Sequence, residues 1–476
     1  MSSRDLRLMA ALLGGRAAGI ASRGLHLGAG STLPGDVGRA LEPRILERLG
    51  SSLRQGVVLV TGTNGKTSTA ALLRAMAAGA GASVAGNPSG SNLIFGLTAA
   101  AMRESDWRGR IDRDWMVLEV DELSTPRAVS ELSPRGLVIL NLYRDQLDRS
   151  FELEQILDRL RLAVSRLPQG AFLVANADDP RVAELALGSE PAMVRTVLFG
   201  LRMDGEDAAY RQLPVVSDGR ACPRCREPLS FSMVHYAHCG IYSCPACGFS
   251  RPDPEVEGRA IRLHGLEGLE MEVAISGAGA TPVRVGLGGV FNAANVTAAA
   301  AASLAMGLSV ERSTSALGGF RPAFGRFQVV FWGKGSVRLM LAKNPAGLEE
   351  NLSAVLGAGS GPVVAIALND GIADGRDVSW IWDANLEILG EVSDLHVVVS
   401  GTRAHELALR LDYAGVPEDR VLVRRSAEAA MNAMGRLADP NLPAPALLTY
   451  TAMLEWHRLA TTAGPGMGPP TSQGRA

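Results

Sequence analysis

A buried, β-branched run that stops at a glycine-rich turn and resumes as a Lys-Thr pair constrains this chain more than any other feature. Residues 57–60 read Val-Val-Leu-Val, and Thr61-Gly62-Thr63-Asn64-Gly65-Lys66-Thr67-Ser68 follows. The pattern predicts a strand, a turn and then a helix that opens at Lys66. That order aims backbone N–H groups and a helix N-terminus at a polyphosphate. Lys66 is placed to reach the terminal phosphates and the Thr67 hydroxyl to hold Mg²⁺, so the chain is expected to bind ATP. The general phosphate-loop pattern has its first glycine where this chain has Val60, and Gly62 supplies the early glycine instead. The plain alternative is an ordinary Gly-rich strand-to-helix turn.

With 476 residues the chain is expected to form two or three domains, each with its own core. A net charge of −2 and 5% aromatic residues give neither the basic field nor the stacking platforms of a nucleic-acid binder. No apolar run reaches membrane-spanning length. Residues 6–20 are apolar but broken by Arg7 and Arg16, with no convincing cleavage site after them. They read as an amphipathic helix packed on the protein; the weaker alternative is a membrane-surface helix using Arg4, Arg7, Arg16 and Arg23. The expected location is the cytoplasm.

Four of the five cysteines form Cys222-x-x-Cys225 and Cys244-x-x-Cys247, separated by the 18 residues 226–243. Two short turns that each offer two thiolates suit one tetrahedral Zn²⁺. Pro223 and Pro245 stiffen the turns, and Gly248 follows the second. Four sulfur ligands leave no open position for a substrate, so the zinc is expected to be structural. Between the pairs, Cys239 and His238 could compete as ligands, but Cys239 is expected as a free thiol beside a surface His238.

From residue 57 the pattern alternates between buried strands and helices, with strands expected at 57–60, 115–120, 137–140 and 172–175. They end at polar groups: the phosphate loop, Glu119 with Asp121 and Glu122, Asn141, and Asn176. In a parallel sheet such carboxyl ends line one crevice where ligands bind. Glu119 is placed to share Mg²⁺ with Thr67. Residues 256–290 read as short strands and 291–306 as an alanine-rich helix. A second α/β unit runs from about residue 327, with strands at 363–368, 395–400 and 446–449. The fold class is α/β. The expected domains are an N-terminal helical segment and linker at 1–55, punctuated by Pro34-Gly35 and Pro43, and a P-loop ATPase domain at 56–325 with the zinc ribbon inserted at about 217–252. A C-terminal Rossmann-like α/β domain at 326–463 and a disordered Gly/Pro/Ser-rich tail at 464–476 complete the chain.

Several stretches together resemble the Mur ligase superfamily: the loop at Thr61–Thr67, Asn176-Ala177-Asp178-Asp179-Pro180, Phe291-Asn292-Ala293-Ala294-Asn295, and Phe324-Gly325-Arg326. Three further stretches and the inserted ribbon sharpen the likeness. They are Asn141-Leu142-Tyr143-Arg144-Asp145-Gln146-Leu147-Asp148-Arg149, Ala342-Lys343-Asn344-Pro345-Ala346-Gly347, and Leu368-Asn369-Asp370-Gly371-Ile372-Ala373-Asp374-Gly375-Arg376-Asp377. Over residues 35–455 the chain looks like the MurT-type subunits of lipid II isoglutaminyl synthase. The resemblance implies a heterodimer with a GatD-type glutaminase that amidates the α-carboxyl of D-isoglutamate in the peptidoglycan stem peptide. It further implies nucleotide contacts from Gly62, Thr63, Asn64, Gly65, Lys66, Thr67, Ser68, Asn176, Asn292, Asn295, Arg326, Lys343 and Asn344. The carboxylate would be phosphorylated in a crevice between the central and C-terminal domains, and closure would bring Arg326 and the Lys343-Asn344 turn onto the nucleotide. Asp377 would orient the glutaminase histidine across the subunit interface; a turn-capping Asp beside Gly is the simpler alternative.

The division of labour has a chemical rationale. Release of ammonia from glutamine uses an activated thiolate at an exposed turn, and no cysteine here fits that role. The thiolate must then come from another chain, or the amine must arrive free. Gln146 stands where amino-acid-adding relatives have a histidine, Ser68 and Leu123 also depart from the common pattern, and no lysine matches the one those ligases carbamylate for a second metal. Two other readings remain open: a muramyl-peptide or folylpolyglutamate type of amino-acid ligase, and a zinc-ribbon ATPase that acts as a scaffold.

Overall fold

The computed structural model describes residues 3–24, 32–88, 90–143, 150–188, 194–203, 219–322, 324–359 and 361–462. The tail from 464, the first residues of the expected insertion at 217–218, and Arg144 to Arg149 with Asp145, Gln146 and Asp148 lie outside them. The chain divides into two compact units, Met1–Ala323 and Phe324–Ala476.

Strands of the first unit are β1 Gly56–Thr61, β2 Val84–Gly86, β3 Trp115–Glu119, β4 Gly136–Ile139, β5 Phe172–Asn176, β6 Arg195–Leu201, β7 Ser230–Tyr236, β8 Cys239–Ser243, β9 Val256–His264, β10 Gly268–Ile275 and β11 Gly279–Val285. Nine of them form one sheet in the order β11-β10-β9-β6-β5-β4-β1-β3-β2, and β7 pairs with β8 apart from it. From β2 to β9 neighbouring strands run parallel, and β9, β10 and β11 close the sheet as antiparallel hairpins. Because helices cover both faces, the parallel strands are apolar along their length; Val58, Leu59 and Val60 are fully buried. Shortening Leu59 to Ala would cost about 2–5 kcal/mol.

The strand order fixes the crevice. β3 pairs with one edge of β1 and β4 with the other, both parallel. The chain therefore leaves β1 for one side and later returns to the opposite side, which opens a ligand crevice beyond the carboxyl end of β1.

The N-terminal segment is more helical than the expected helix and linker. Helices Ser3–Gly24, Leu33–Leu41 and Ile45–Gly50 bring Leu8, Leu12, Ile45, Leu46 and Leu49 into the core that also holds Leu59 and Leu118. Pro34 lies in the first turn of its helix, where a missing N–H breaks no helical hydrogen bond. The first helix packs one face on the unit, while Leu6, Leu13 and Ile20 stay exposed on another. Among the described residues no helix is long and apolar enough to cross a membrane.

The second unit has strands β12 Arg326–Trp332, β13 Gly335–Leu341, β14 Val363–Ala367, β15 His396–Ser400, β16 Val421–Val423 and β17 Ala444–Leu448, ordered β12-β13-β17-β14-β15-β16. Only the β12–β13 pair is antiparallel. The Lys343-Asn344 turn and the Asn369–Asp377 loop follow the carboxyl ends of β13 and β14, the side of an open α/β sheet that carries ligands.

Candidate active site

The turn after β1 is shaped by two glycines and one asparagine. Gly65 caps the helix Lys66–Gly79 at φ +87°, and Gly62 adopts φ +130°, both in the region that L side chains avoid. A Cβ on Gly62 would also press on the Asn141 backbone N and O at 3.0 Å. Asn141, just past β4, grips the turn. Its side chain accepts from Asn64 N at 2.9 Å and donates to Asn64 O at 3.1 Å, and its carbonyl accepts from Thr63 N at 2.9 Å. Thr63 Oγ1 in turn accepts from Tyr143 N at 3.0 Å.

Lys66 Nζ is buried and donates to Gly62 O at 2.5 Å, Thr63 O at 3.2 Å and Glu122 Oε1 at 3.0 Å. Thr67 Oγ1 donates to Glu119 Oε2 at 2.8 Å. Asn87 fixes Glu119 by a reciprocal pair: Glu119 N donates to Asn87 Oδ1 and Asn87 Nδ2 to Glu119 O, each at 2.9 Å. A hydroxyl and a carboxylate oxygen side by side are the hard donors that suit Mg²⁺. Burial pushes the Arg74 guanidinium below its usual pKa, and the charge of Glu119 offsets this only in part.

Asn295 reaches the same turn from the helix Val290–Ala305. Its Oδ1 accepts from Thr69 Oγ1 at 3.2 Å, and its Nδ2 donates to Asn292 Oδ1 at 3.0 Å. Asn292 is tied to Gly288 O at 2.7 Å. Asn176 is buried and donates to Leu140 O at 2.8 Å and Tyr236 OH at 3.1 Å. The first unit thus gathers the residues from Gly62 to Ser68 with Glu119, Asn292 and Asn295 around one turn, with Asn176 two strands along the sheet at the end of β5. Arg326, Lys343 and Asn344 belong to the second unit. There Arg326 begins β12, and Asn344 caps the helix Pro345–Gly357 by accepting from Gly347 N at 2.8 Å.

The cysteine pairs come together. The Sγ atoms of Cys222, Cys225, Cys244 and Cys247 all lie within 4.8 Å of one another. Cys222 and Cys247 are 3.6 Å apart, and Cys225 and Cys244 3.5 Å. Tetrahedral Zn²⁺ with bonds of about 2.3 Å requires sulfurs about 3.8 Å apart, so the cradle fits that ion, and a disulfide would need about 2.05 Å. The two turns are built alike: Arg226 N donates to Cys222 O at 2.9 Å and Gly248 N to Cys244 O at 3.0 Å. Their φ angles are +68° and +74°. Without a metal the thiols hold one another's protons: Cys222 and Cys225 are raised, while hydrogen bonds from Cys247 N and Ala246 N lower Cys244.

The expected surface position of His238 needs correction, whereas Cys239 is a free thiol as expected, though a buried one. His238 is 3% exposed and Cys239 fully buried. His238 Nε2 lies 3.1 Å from Asp179 Oδ2, and His235 Nδ1 lies 3.1 Å from Asp178 Oδ2. Burial opposes ionisation of both aspartates, yet their histidine partners and hydrogen bonds from backbone N–H groups hold both below the usual carboxylate range. Arg251 Nε adds a bond to Asp178 at 2.7 Å. The insert is therefore docked on the turn after β5, and the ribbon spacing alone gave no sign of it.

Asp377 lies in the loop after β14 and is half-buried. Its Oδ1 accepts from Ser379 N at 2.8 Å and Ser379 Oγ at 2.5 Å, which lowers its pKa. This is the capping role that the simpler reading assigned, and among the described residues its Oδ2 takes no hydrogen bond. The loop is pinned by Asp374, whose Oδ1 accepts from Thr451 N at 2.7 Å.

Sequence reasoning passed over Asn87 and Asn141 as gripping residues, and over Glu122 as the partner of Lys66. Asn141 and Glu122 carried a signal, being polar groups at the ends of buried strands. Asn87 follows a strand of three residues, too short to show a period.

A Mur ligase middle domain profile matches residues 60–233, and a MurT ligase C-terminal profile matches residues 341–453. A lipid II isoglutaminyl synthase (glutamine-hydrolyzing) subunit MurT from Staphylococcus aureus (strain COL) is 32% identical over 403 residues, covering 83% of this chain and 85% of that protein. A subunit of the same name from Streptococcus pneumoniae (strain ATCC BAA-255 / R6) is 30% identical over 457 residues, 96% of this chain and 97% of that protein. In fold, the chain is similar to a pseudomurein peptide ligase type C from Methanothermus fervidus, with a TM-score of 0.63 at 19% identity over 87% of this chain and 80% of that one.

Proposed function

This chain belongs to the MurT family of Mur ligase-fold, ATP-dependent ligases, and from that premise we propose that it is the synthetase subunit of a lipid II isoglutaminyl synthase. The acceptor is the α-carboxylate of D-isoglutamate in the stem peptide. Its oxygen attacks the γ-phosphorus of ATP and releases ADP, leaving an acyl phosphate. Ammonia then attacks the acyl carbon, and the amide forms as inorganic phosphate departs. The two steps balance without any other reactant.

The observation that carries this reading is the pairing of two cation-handling contacts on adjacent residues. Lys66 lies 3.0 Å from Glu122, and Thr67 lies 2.8 Å from Glu119, at the start of one helix. Lys66 would move its charge from Glu122 to the transferring phosphoryl group. Thr67 and Glu119 would hold Mg²⁺, which neutralises charge on the β- and γ-phosphates. Gly62, Thr63, Asn64, Gly65 and Ser68 would line the phosphates, with Asn176, Asn292 and Asn295 supporting that wall. The family reading assigns Arg326, Lys343 and Asn344 of the second unit to the nucleotide as well. Cys222, Cys225, Cys244 and Cys247 would hold a structural Zn²⁺.

Ammonia would come from a GatD-type glutaminase in a heterodimer. Asp377, with Oδ2 left for a partner, would orient that subunit's catalytic histidine.

The test uses the chain with its glutaminase, a muropeptide acceptor, ATP and glutamine labelled with ¹⁵N in the side-chain amide. The expected product carries ¹⁵N in the isoglutamine amide, and Lys66→Ala gives none. Incorporation of a whole amino acid would support the amino-acid ligase reading instead.

A further inference from the structure

The β7–β8 hairpin, flanked by the two cysteine pairs, lies one layer of side chains from the phosphate loop. β7 and β8 end at a tight turn where Ala237 has φ +43°, and the turn drives His238 into the unit. His238 Nε2 meets Asp179 Oδ2 at 3.1 Å, and the same oxygen accepts from Leu142 N at 2.9 Å. The next residue, Tyr143, sets its ring edgewise on the His238 ring, centroids 4.8 Å apart at 69°. Its hydroxyl lies 3.5 Å from Cys239 Sγ, and its backbone N donates to Thr63 Oγ1 at 3.0 Å. On the other side, Cys244 follows β8 directly and belongs to the cysteine cradle.

We propose that His238 is a positioning residue for the phosphate loop, coupling the zinc-held hairpin through Asp179, Leu142 and Tyr143 to Thr63 and Asn64. It stands outside the four-cysteine cradle and acts through its contacts with Asp179 and Tyr143. It fixes the segment that holds the loop in its anion-binding shape, and the ribbon thereby tunes the affinity of a nucleoside triphosphate. A coupling between two ligand sites is reciprocal, so nucleotide must strengthen zinc retention by the factor by which zinc strengthens nucleotide binding. The inference rests on the reading that the Lys66 turn binds nucleotide.

The experiment compares the full-length wild type with His238→Ala, His238→Gln and Lys66→Ala. Affinity for a non-hydrolysable ATP analogue with Mg²⁺ is measured by calorimetry, and zinc affinity by competition with a chromophoric chelator, with and without the analogue. His238→Ala is expected to weaken analogue binding about tenfold or more while keeping one zinc per chain. His238→Gln, which retains an N–H donor toward Asp179, is expected to recover most of that loss. In the wild type the analogue is expected to tighten zinc retention, and this linkage decides the matter if His238→Ala does not fold. Unchanged analogue affinity in a folded His238→Ala protein, or zinc affinity indifferent to the analogue, overturns the inference while leaving the nucleotide reading intact. Failure of the wild type itself to bind the analogue overturns both.

Discussion

Lys66 Nζ lies 3.0 Å from Glu122 Oε1, with the two side chains only 8% and 10% exposed. The cation that would meet a phosphate is thus already held by a buried anion, so the phosphate-binding loop is electrostatically balanced before a ligand arrives. Breaking a buried pair from one side is costly, because the remaining charge keeps its desolvation penalty.

Glu122→Gln should therefore lower the stability of the nucleotide-free protein by about 3 kcal/mol, the low end of the range for a buried pair. The carbonyls of Gly62 and Thr63 still accept from Lys66 and soften the loss. Saturating nucleotide should erase most of the deficit, since phosphate then takes the place of the carboxylate. Denaturant melts with and without nucleotide check this, and an equal deficit under both conditions contradicts it.

The four-cysteine cradle should hold one zinc per chain, read by native mass spectrometry or elemental analysis. Cys222→Ser or Cys247→Ser should lose it. Structural sites of this kind contribute about 10–16 kcal/mol of apparent binding energy in isolated fingers. The insert should accordingly become protease-sensitive when the metal is removed. Full zinc occupancy in either variant would contradict the assignment.

Asp377→Asn should separate the two nitrogen sources. Asparagine keeps a carbonyl oxygen to accept from Ser379, so the loop should hold its shape. Glutamine-dependent amidation should fall by about 10²-fold or more, by analogy with loss of the orienting aspartate in a catalytic triad. Amidation with free ammonia should persist. Equal rates with glutamine in wild type and variant would leave Asp377 with its capping role alone.

Glu349 gives the second unit a pH dependence of known sign. Burial lifts its carboxyl to about 7, against a hydrogen bond from Asn385 N that favours ionisation, and Glu350, Asp383 and Glu387 push in the same direction as burial. A folded-state pKa above the unfolded value means that stability is fully present below the unfolded pKa and lost as pH rises through 7. The total is of the order of 3 kcal/mol. Glu349→Gln keeps the acceptor for Asn385 N and should flatten the fall in stability between about pH 5 and pH 8. An unchanged slope would contradict this.

Much of the architecture was legible because parallel, doubly covered strands leave a blunt signal. The run at 57–60 is apolar at every position, and it could stop only at Gly62 and Gly65, where the backbone takes positive φ. The cysteine spacing likewise announced its cradle, since each CxxC turn closes locally. What the sequence concealed was long-range. Asn87 and Glu119 are 32 residues apart, and His238 and Asp179 59 apart. Glu119 and the Asp178-Asp179 turn stand out locally, but nothing local marks Asn87 or His238 as their partners. His238 looked like an exposed loop residue because the hairpin that buries it docks on a turn belonging to a different strand. Pro34 looked like a break, although a proline in the first turn begins a helix as readily as it ends one.

Transfer of the outermost phosphoryl group of ATP to an acceptor carboxylate at the Lys66 turn is the step on which the proposed chemistry depends. Its most direct test is amidation of a muropeptide labelled with ¹⁸O in the reacting carboxylate, with ammonia as donor and the released phosphate read by mass spectrometry. One ¹⁸O per amide formed should appear in inorganic phosphate, because the bridging oxygen of an acyl phosphate leaves with phosphorus. Phosphate free of label, alongside normal amide formation, would contradict that step.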